Sequence, residues 1–201
     1  MTITTIKQQV KNPNRASIFI DGKYTLSLSI DELVANRLKI GQVVDEPLLA
    51  SLKKQSADGK TRSRSMDWVL NRPRSVREFR QYLLRKRVDK ELADKLEREF
   101  LDKGHLNDER FATWLVDVRQ RSGKSQRLIT AELSSKGVSR EIISGIDFDQ
   151  SDEVFKIRTL VAKKLHASKY ANDESKLIKY LLGKGFGYSD IRQIIDEHRI
   201  D

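Results

Sequence analysis

One pattern occurs three times along the larger, C-terminal part of this 201-residue chain. Leu83-Leu84-Arg85-Lys86-Arg87-Val88-Asp89-Lys90-Glu91-Leu92 returns fifty residues later as Leu133-Ser134-Ser135-Lys136-Gly137-Val138-Ser139-Arg140-Glu141-Ile142. After another forty-eight it returns as Leu181-Leu182-Gly183-Lys184-Gly185-Phe186, then Ser189-Asp190-Ile191 past a one-residue insertion. Apolar positions keep register on both sides, with Phe79, Ile129 and Leu177 upstream and Leu96, Ile146 and Ile195 downstream. A period near fifty means one small supersecondary unit used three times. Arrays of this kind present long surfaces and usually bind rather than catalyse.

Each unit reads as three short helices. In the second, Asn107 is placed to cap a helix whose first turn holds Asp108 and Glu109, favourable against the helix dipole. Phe111, Trp114, Leu115 and Val118 form its apolar stripe, and Ser122-Gly123 breaks it. A second helix carries Ile129 and Leu133 and ends at Gly137, while Ser139 opens a third with Ile142, Ile143 and Ile146. The first unit matches through Trp68, Leu70, Phe79, Leu83, Leu92, Leu96 and Phe100, and the third through Ile157, Val161, Leu177, Leu181, Ile191 and Ile195. Second helices are therefore predicted near 75–86, 125–136 and 174–184. Trp68 and Trp114 read as packing residues before base-stacking ones.

The first thirty residues read as β. Ile3 to Val10 is β-rich and Asn12-Pro13-Asn14 breaks it. Ala16, Ile18 and Ile20 alternate before Asp21-Gly22, and Tyr24, Leu26 and Leu28 alternate after it. An odd-length loop with Gly22 left-handed would put both apolar sets on one face of a hairpin. Ser29 or Asp31 then caps a short helix, and Leu48, Leu49 and Leu52 suggest another turn or two. Residues 53–65 hold no apolar group larger than alanine, so they read as a linker or the polar start of a helix. The expected organisation is an N-terminal β-hairpin and short-helix module at 1–52, followed by three-helix repeats at 61–104, 105–150 and 151–201. The fold class is mainly α, with the repeats expected in an elongated curved array.

Composition narrows the function. Hydrophobic residues make up 38% and charged residues 34%, which fits a modest core under much exposed surface. No run approaches the ~20 apolar residues of a membrane span, and residues 1–20 lack a signal-peptide core. Without cysteine there are no disulfides and no thiolate chemistry, as suits a cytoplasmic protein. His105, His166 and His198 lack ligand spacing, and no phosphate loop or nucleophile motif occurs. No cofactor, no metal and no catalytic residue is expected.

The charge is uneven. Net charge is +10, and Lys60 to Arg87 holds ten basic residues against Asp67 and Glu78. A concentrated patch suits a polyanion or an acidic partner better than a uniform excess does. Arg74 and Lys124 occupy equivalent places before second helices, as do Arg77 and Arg127, and these four are read as contact residues. Lys86, Lys136 and Lys184 recur at second-helix ends, where dipole compensation explains them. The candidate partner-binding or polyanion-binding set is Arg72, Arg74, Arg77, Arg85, Lys86, Arg87, Lys124 and Arg127.

Leu101-Asp102-Lys103-Gly104-His105-Leu106-Asn107-Asp108-Glu109-Arg110-Phe111-Ala112 resembles the signature of the RecX family. So do Arg72-Pro73-Arg74-Ser75 leading into Phe79 and Leu83-Leu84, and the helix ends at Lys136-Gly137-Val138 and Lys184-Gly185-Phe186. The resemblance covers about 61–200, and the N-terminal module resembles an extension found in part of the family. One departure is Arg87, where the other units have Gly137 and Gly185. The resemblance implies a regulator that binds the RecA recombinase filament on DNA and restrains its growth; a non-enzymatic monomer is expected. It leaves open weak binding to single- or double-stranded DNA. The alternative is a sequence-nonspecific nucleic-acid-binding module that acts without a recombinase.

Overall fold

A computed structural model of the chain describes residues 1–148, 150–165, 170 and 173–198. His166 and the end of the third repeat beyond 198 lie outside the described residues. The chain forms two compact units, Met1–Asn71 with Lys86–Leu96, and Arg72–Arg85 with Glu97–Asp201.

The first unit is built on an antiparallel sheet in the order β1-β2-β3, from β1 (Ile3–Gln8), β2 (Arg15–Ile20) and β3 (Lys23–Ser29). The hairpin loop between β2 and β3 has two residues, not an odd number. Asp21 and Gly22 have φ of 49° and 77°, the double positive φ that a type I′ turn requires. Parity is restored inside the strands: Ile20 pairs with Lys23 and Phe19 with Tyr24, but Ile18 pairs with Leu26 across a register shift. The extra residue, Thr25, is a bulge. It turns Leu26 and Leu28 onto the face of Ala16 and Ile18 and leaves Tyr24 on the other, 53% exposed.

Ser29 caps α1 (Ile30–Ala35) in a complete capping box: its hydroxyl accepts from the Glu32 amide and the Glu32 carboxylate accepts from the Ser29 amide. Asp45 then caps α2 (Glu46–Leu70), a single helix of 25 residues. Residues 53–65, expected as a linker or a helix start, lie in its middle. Their polarity is what one face against water demands, and Lys53, Lys54, Gln55, Ala57, Lys60, Arg62 and Arg64 among them are good helix formers. Leu49 and Leu52 join Ile3, Ile18, Leu26, Leu28 and Val44 in the core beneath the sheet. The Ser56 hydroxyl donates to the Ser27 carbonyl at 2.7 Å and accepts the Ser27 amide at 3.3 Å. α2 thus closes the edge of β3, which would otherwise offer open hydrogen-bonding groups.

The remaining helices follow the repeat. They are α3 (Val76–Arg85), α4 (Lys90–Asp102), α5 (Asp108–Arg121), α6 (Gln126–Ser135), α7 (Arg140–Ser144), α8 (Gln150–Leu165), α9 (Glu174–Gly183) and α10 (Tyr188–Glu197). The second helices α3, α6 and α9 fall within a residue or so of their predicted spans. Asn107, Ser125, Ser139 and Asp173 cap α5, α6, α7 and α9 through their side chains. Gly104, Gly137 and Gly185 follow helix ends with φ of 67°, 83° and 95°. Arg87 adopts the same left-handed conformation at φ 53°, so the first repeat keeps the helix stop despite lacking the glycine.

Each repeat in the second unit has its own apolar centre. Phe79 packs on Phe100 with ring centroids 5.2 Å apart. Phe111, Leu115, Ile129, Leu133 and Val138 form the next centre. Ile157, Val161, Leu177, Leu181, Phe186 and Ile191 form the third. Among the described residues, no helix is long and apolar enough to cross a membrane, and no group of His, Asp or Glu could hold a metal ion.

Candidate interaction surface

Five of the candidate basic residues, Arg72, Arg74, Arg77, Lys124 and Arg127, stand around the start of α3 and of α6, and at both places the following repeat is docked. At the first joint the Ser75 hydroxyl accepts from the Glu78 amide at 3.1 Å and donates to the Lys136 carbonyl, at the end of α6, at 2.7 Å. The Val76 amide, one of the N-terminal donors a helix cannot satisfy internally, donates to Asp108 Oδ1 at 2.9 Å. Glu78, 8% exposed, is clasped by two nitrogens of Arg72 at 3.1 and 3.2 Å and by Lys136 Nζ at 3.0 Å. The Arg72 guanidinium also lies 4.8 Å from the centroid of the Trp114 ring. Trp114 is therefore a packing residue.

The second joint repeats this plan one unit on. The Ser125 amide donates to the Lys184 carbonyl at 2.9 Å, and the Gln126 amide donates to Glu153 Oε1 at 2.5 Å. Lys184 Nζ donates to the Ser122 carbonyl at 2.6 Å. Lys124 Nζ reaches the Gly183 carbonyl at 3.4 Å and Arg127 Nε the Gly185 carbonyl at 3.3 Å. At both joints a glycine lets the helices close. A Cβ on Gly137 would sit 2.8 Å from Arg77 Cβ, and one on Gly185 would meet Ser125 Oγ and lie 2.7 Å from Leu128 Cβ.

The recurrence of these residues at one offset thus has a geometric cause. Arg72, Arg77, Lys124 and Arg127 stand at the rims of two equivalent joints, and Lys136 and Lys184 bridge them, beyond any dipole role. Arg74 is half-buried beside them. Burial and the neighbouring Arg72 charge lower its pKa, against a smaller opposing effect of Glu78. Arg85, Lys86 and Arg87 follow at the end of α3, all exposed. Sequence reasoning missed Ser75, Glu78, Asp108, Ser125 and Glu153. Asp108 was read only as a dipole partner of its own helix, whereas it finishes the start of α3. The one signal available was the glycine at the same place in two units.

Glu78 makes the first joint pH-sensitive. Burial pushes its carboxyl up, but the hydrogen bonds from Arg72 and Lys136 outweigh it and hold the pKa below the ordinary range. A carboxyl depressed in the folded state contributes stability above its unfolded pKa and loses it as pH falls through the folded one. Arg72→Ala is expected to cost about 1.5–3 kcal/mol near neutrality, the range for hydrogen bonds to a charged group. The cost should shrink below about pH 4, where Glu78 protonates in the unfolded chain. Urea unfolding of both proteins at neutral and acid pH measures this, and a cost that does not change with pH would count against the Glu78 clasp.

Two family models match: the regulatory protein RecX N-terminal domain over residues 1–45, and the RecX second three-helix domain over residues 107–145, which runs from the Asn107 cap of α5 to the Gly145 cap of α7. The regulatory protein RecX of Listeria monocytogenes serotype 4b (strain CLIP80459) is 30% identical over 192 residues, covering 92% of this chain and 71% of the relative. The chain belongs to the RecX family. The regulatory protein RecX of Bacillus subtilis (strain 168) is also 30% identical, over 203 residues that cover 97% of this chain and 76% of its own. A crystal structure of regulatory protein RecX shares the fold with a TM-score of 0.68 at 23% identity, over 97% of this chain and 98% of that one. RecX from Lactobacillus salivarius matches 72% of this chain and 97% of its own at a TM-score of 0.56 and 23% identity. The RecX match thus takes in the N-terminal module as well as the middle repeat.

Proposed function

We propose that this RecX-family chain is a non-enzymatic regulator that binds RecA recombinase filaments on DNA and restrains their growth. The observation that carries the reading is family membership over almost the whole chain, with relatives named as regulatory proteins. The repeats support it physically. Two successive joints of one construction present Arg77 and Arg127 at equivalent, exposed positions, so weak contacts spaced along a repeating partner can act together. Arginine forks suit carboxylates and phosphates alike. We assign contact with the filament to Arg74, Arg77, Lys124 and Arg127, with Arg85, Lys86 and Arg87 as further candidates. Arg72 is set apart because its guanidinium is engaged with Glu78 and Trp114.

The test is inhibition of filament-dependent ATP hydrolysis by the parent chain and by Arg74→Ala/Arg77→Ala/Lys124→Ala/Arg127→Ala, each with a thermal melt. The variant is expected to need at least about tenfold more protein to inhibit. Arg77 and Arg127 are exposed and should contribute under about 1 kcal/mol each. The half-buried Arg74 and Lys124 can add to the melting shift, so the Arg77→Ala/Arg127→Ala double variant is melted and assayed beside it. A variant that melts normally and inhibits at the parent's concentration would place the contact elsewhere. Inhibition that appears only where the chain itself coats DNA would favour the nucleic-acid module instead.

A further inference from the structure

From the open face of the middle repeat we infer a docking groove for a cationic amphipathic helix of a protein partner. The groove lies between α5 and α7 and encloses about 560 Å³. Its origin is a length mismatch. α7 has 5 residues where the corresponding α4 has 13 and α10 has 10. At 1.5 Å per residue α7 is about 7.5 Å long, against about 21 Å for α5, so much of one α5 face goes uncovered. Gly145, at the end of α7, leaves the wall between them low.

The floor is apolar: Ala112 and Val116 on α5 face Ile142 and Ile146 from the other side. Val116, Ile142 and Ile146 are only partly buried and lean on the core of this repeat. Every charged residue lining the groove is acidic, Glu109 and Asp117 on the α5 side and Glu141 and Asp147 on the other, with Asp117 paired to Arg121 beside the groove at 2.8 Å. Acid on both rims of an apolar trough is unusual on a chain of net charge +10. It repels nucleic acid, whose phosphates carry the same sign. It complements a helix with apolar residues at i, i+3 or i+4 and i+7 and Lys or Arg on its flanks, the helix-in-groove mode of recognition. The groove's apolar floor and acidic rims stand independently of filament binding.

The probe is a fluorescein-labelled helical peptide with Leu along one face and Lys on the flanks, titrated with the full chain by fluorescence anisotropy. The controls are a scrambled peptide of the same composition and a peptide with Glu in place of Lys. The amphipathic basic peptide is expected to bind at least about tenfold more tightly than either control, with affinity falling as salt rises. Amide shifts in NMR should concentrate in α5 and α7. Asp117→Lys/Asp147→Lys should weaken binding at least about tenfold and favour the Glu peptide. Neither residue lies in a first helical turn, so the reversal avoids a dipole penalty there; Asp117→Lys does give up the exposed Arg121 pair, a contact of small weight. If that variant melts early, Asp117→Asn/Asp147→Asn removes the charge alone. Equal binding of the scrambled peptide, indifference to charge reversal, or shifts outside α5 and α7 would overturn the proposal. So would self-association of the chain through this face in sedimentation, since the occupant would then be a second copy.

Discussion

Gly185→Ala is expected to destabilise the second unit by roughly 2–5 kcal/mol, adding a left-handed penalty of about 1–2 kcal/mol to overpacking of about 1–3 kcal/mol. The residue is buried with φ at 95°, and its added methyl would meet Ser125 Oγ and Leu128 Cβ, neither the far end of a flexible chain. Gly104→Ala supplies the control. Its φ is 67°, but nothing lies within 4 Å of the added carbon, so only the backbone penalty of about 1–2 kcal/mol applies. Urea unfolding of the two variants separates conformation from crowding. Equal costs would mean that the second joint yields readily. Amide exchange in Gly185→Ala should speed up first around Ser125 and Lys184.

Phe111→Ala is expected to cost about 3–5 kcal/mol, the range for emptying a buried aromatic site. Phe111 is 1% exposed and packs among Leu115, Ile129 and Leu133, with its ring 5.9 Å from that of Trp114. The middle repeat is docked on both sides, so its loosening should be felt at Lys136 and at Ser125 alike, as nearest-neighbour coupling in repeat proteins requires. Leu84→Ala is the matched control, because Leu84 is 77% exposed and its loss should fall within about 0.5 kcal/mol. A Phe111→Ala protein with unchanged exchange at both joints would show that the repeats fold without coupling.

Most of the helices were legible because each carries its own local signals. Asn107, Ser125, Ser139 and Asp173 are residues of capping type standing before apolar stripes, and the glycines after α6 and α9 need no partner to be recognised. α2 was not legible over 53–65, because the small and polar residues that leave one face to water also read as a linker. The bulge at Thr25 was hidden for another reason: an odd loop and an even loop with one bulge give the same face pattern. At the candidate surface, the basic residues were found by their recurrence, but their setting was not. The bonds that explain them join residues about sixty apart, such as Ser75 with Lys136 and Lys124 with Gly183. No local periodicity reports a pairing of that separation. The groove beside α7 was invisible for a similar reason, since it exists through the shortness of a helix whose end falls at Gly145 rather than at Ile146 or beyond.

The carboxylates at the joints give the chain a direction. α3 receives Asp108 and α6 receives Glu153, each from the stretch of chain made after it, whereas the start of α9 is served by Asp173 immediately before it. During synthesis, which proceeds from the N-terminus at about 5–20 residues per second, α3 and α6 each emerge with an amide still open to water and wait for the following repeat to supply its acceptor. Assembly is then vectorial: each newly released repeat locks the one before it, and the growing chain settles from behind its leading edge.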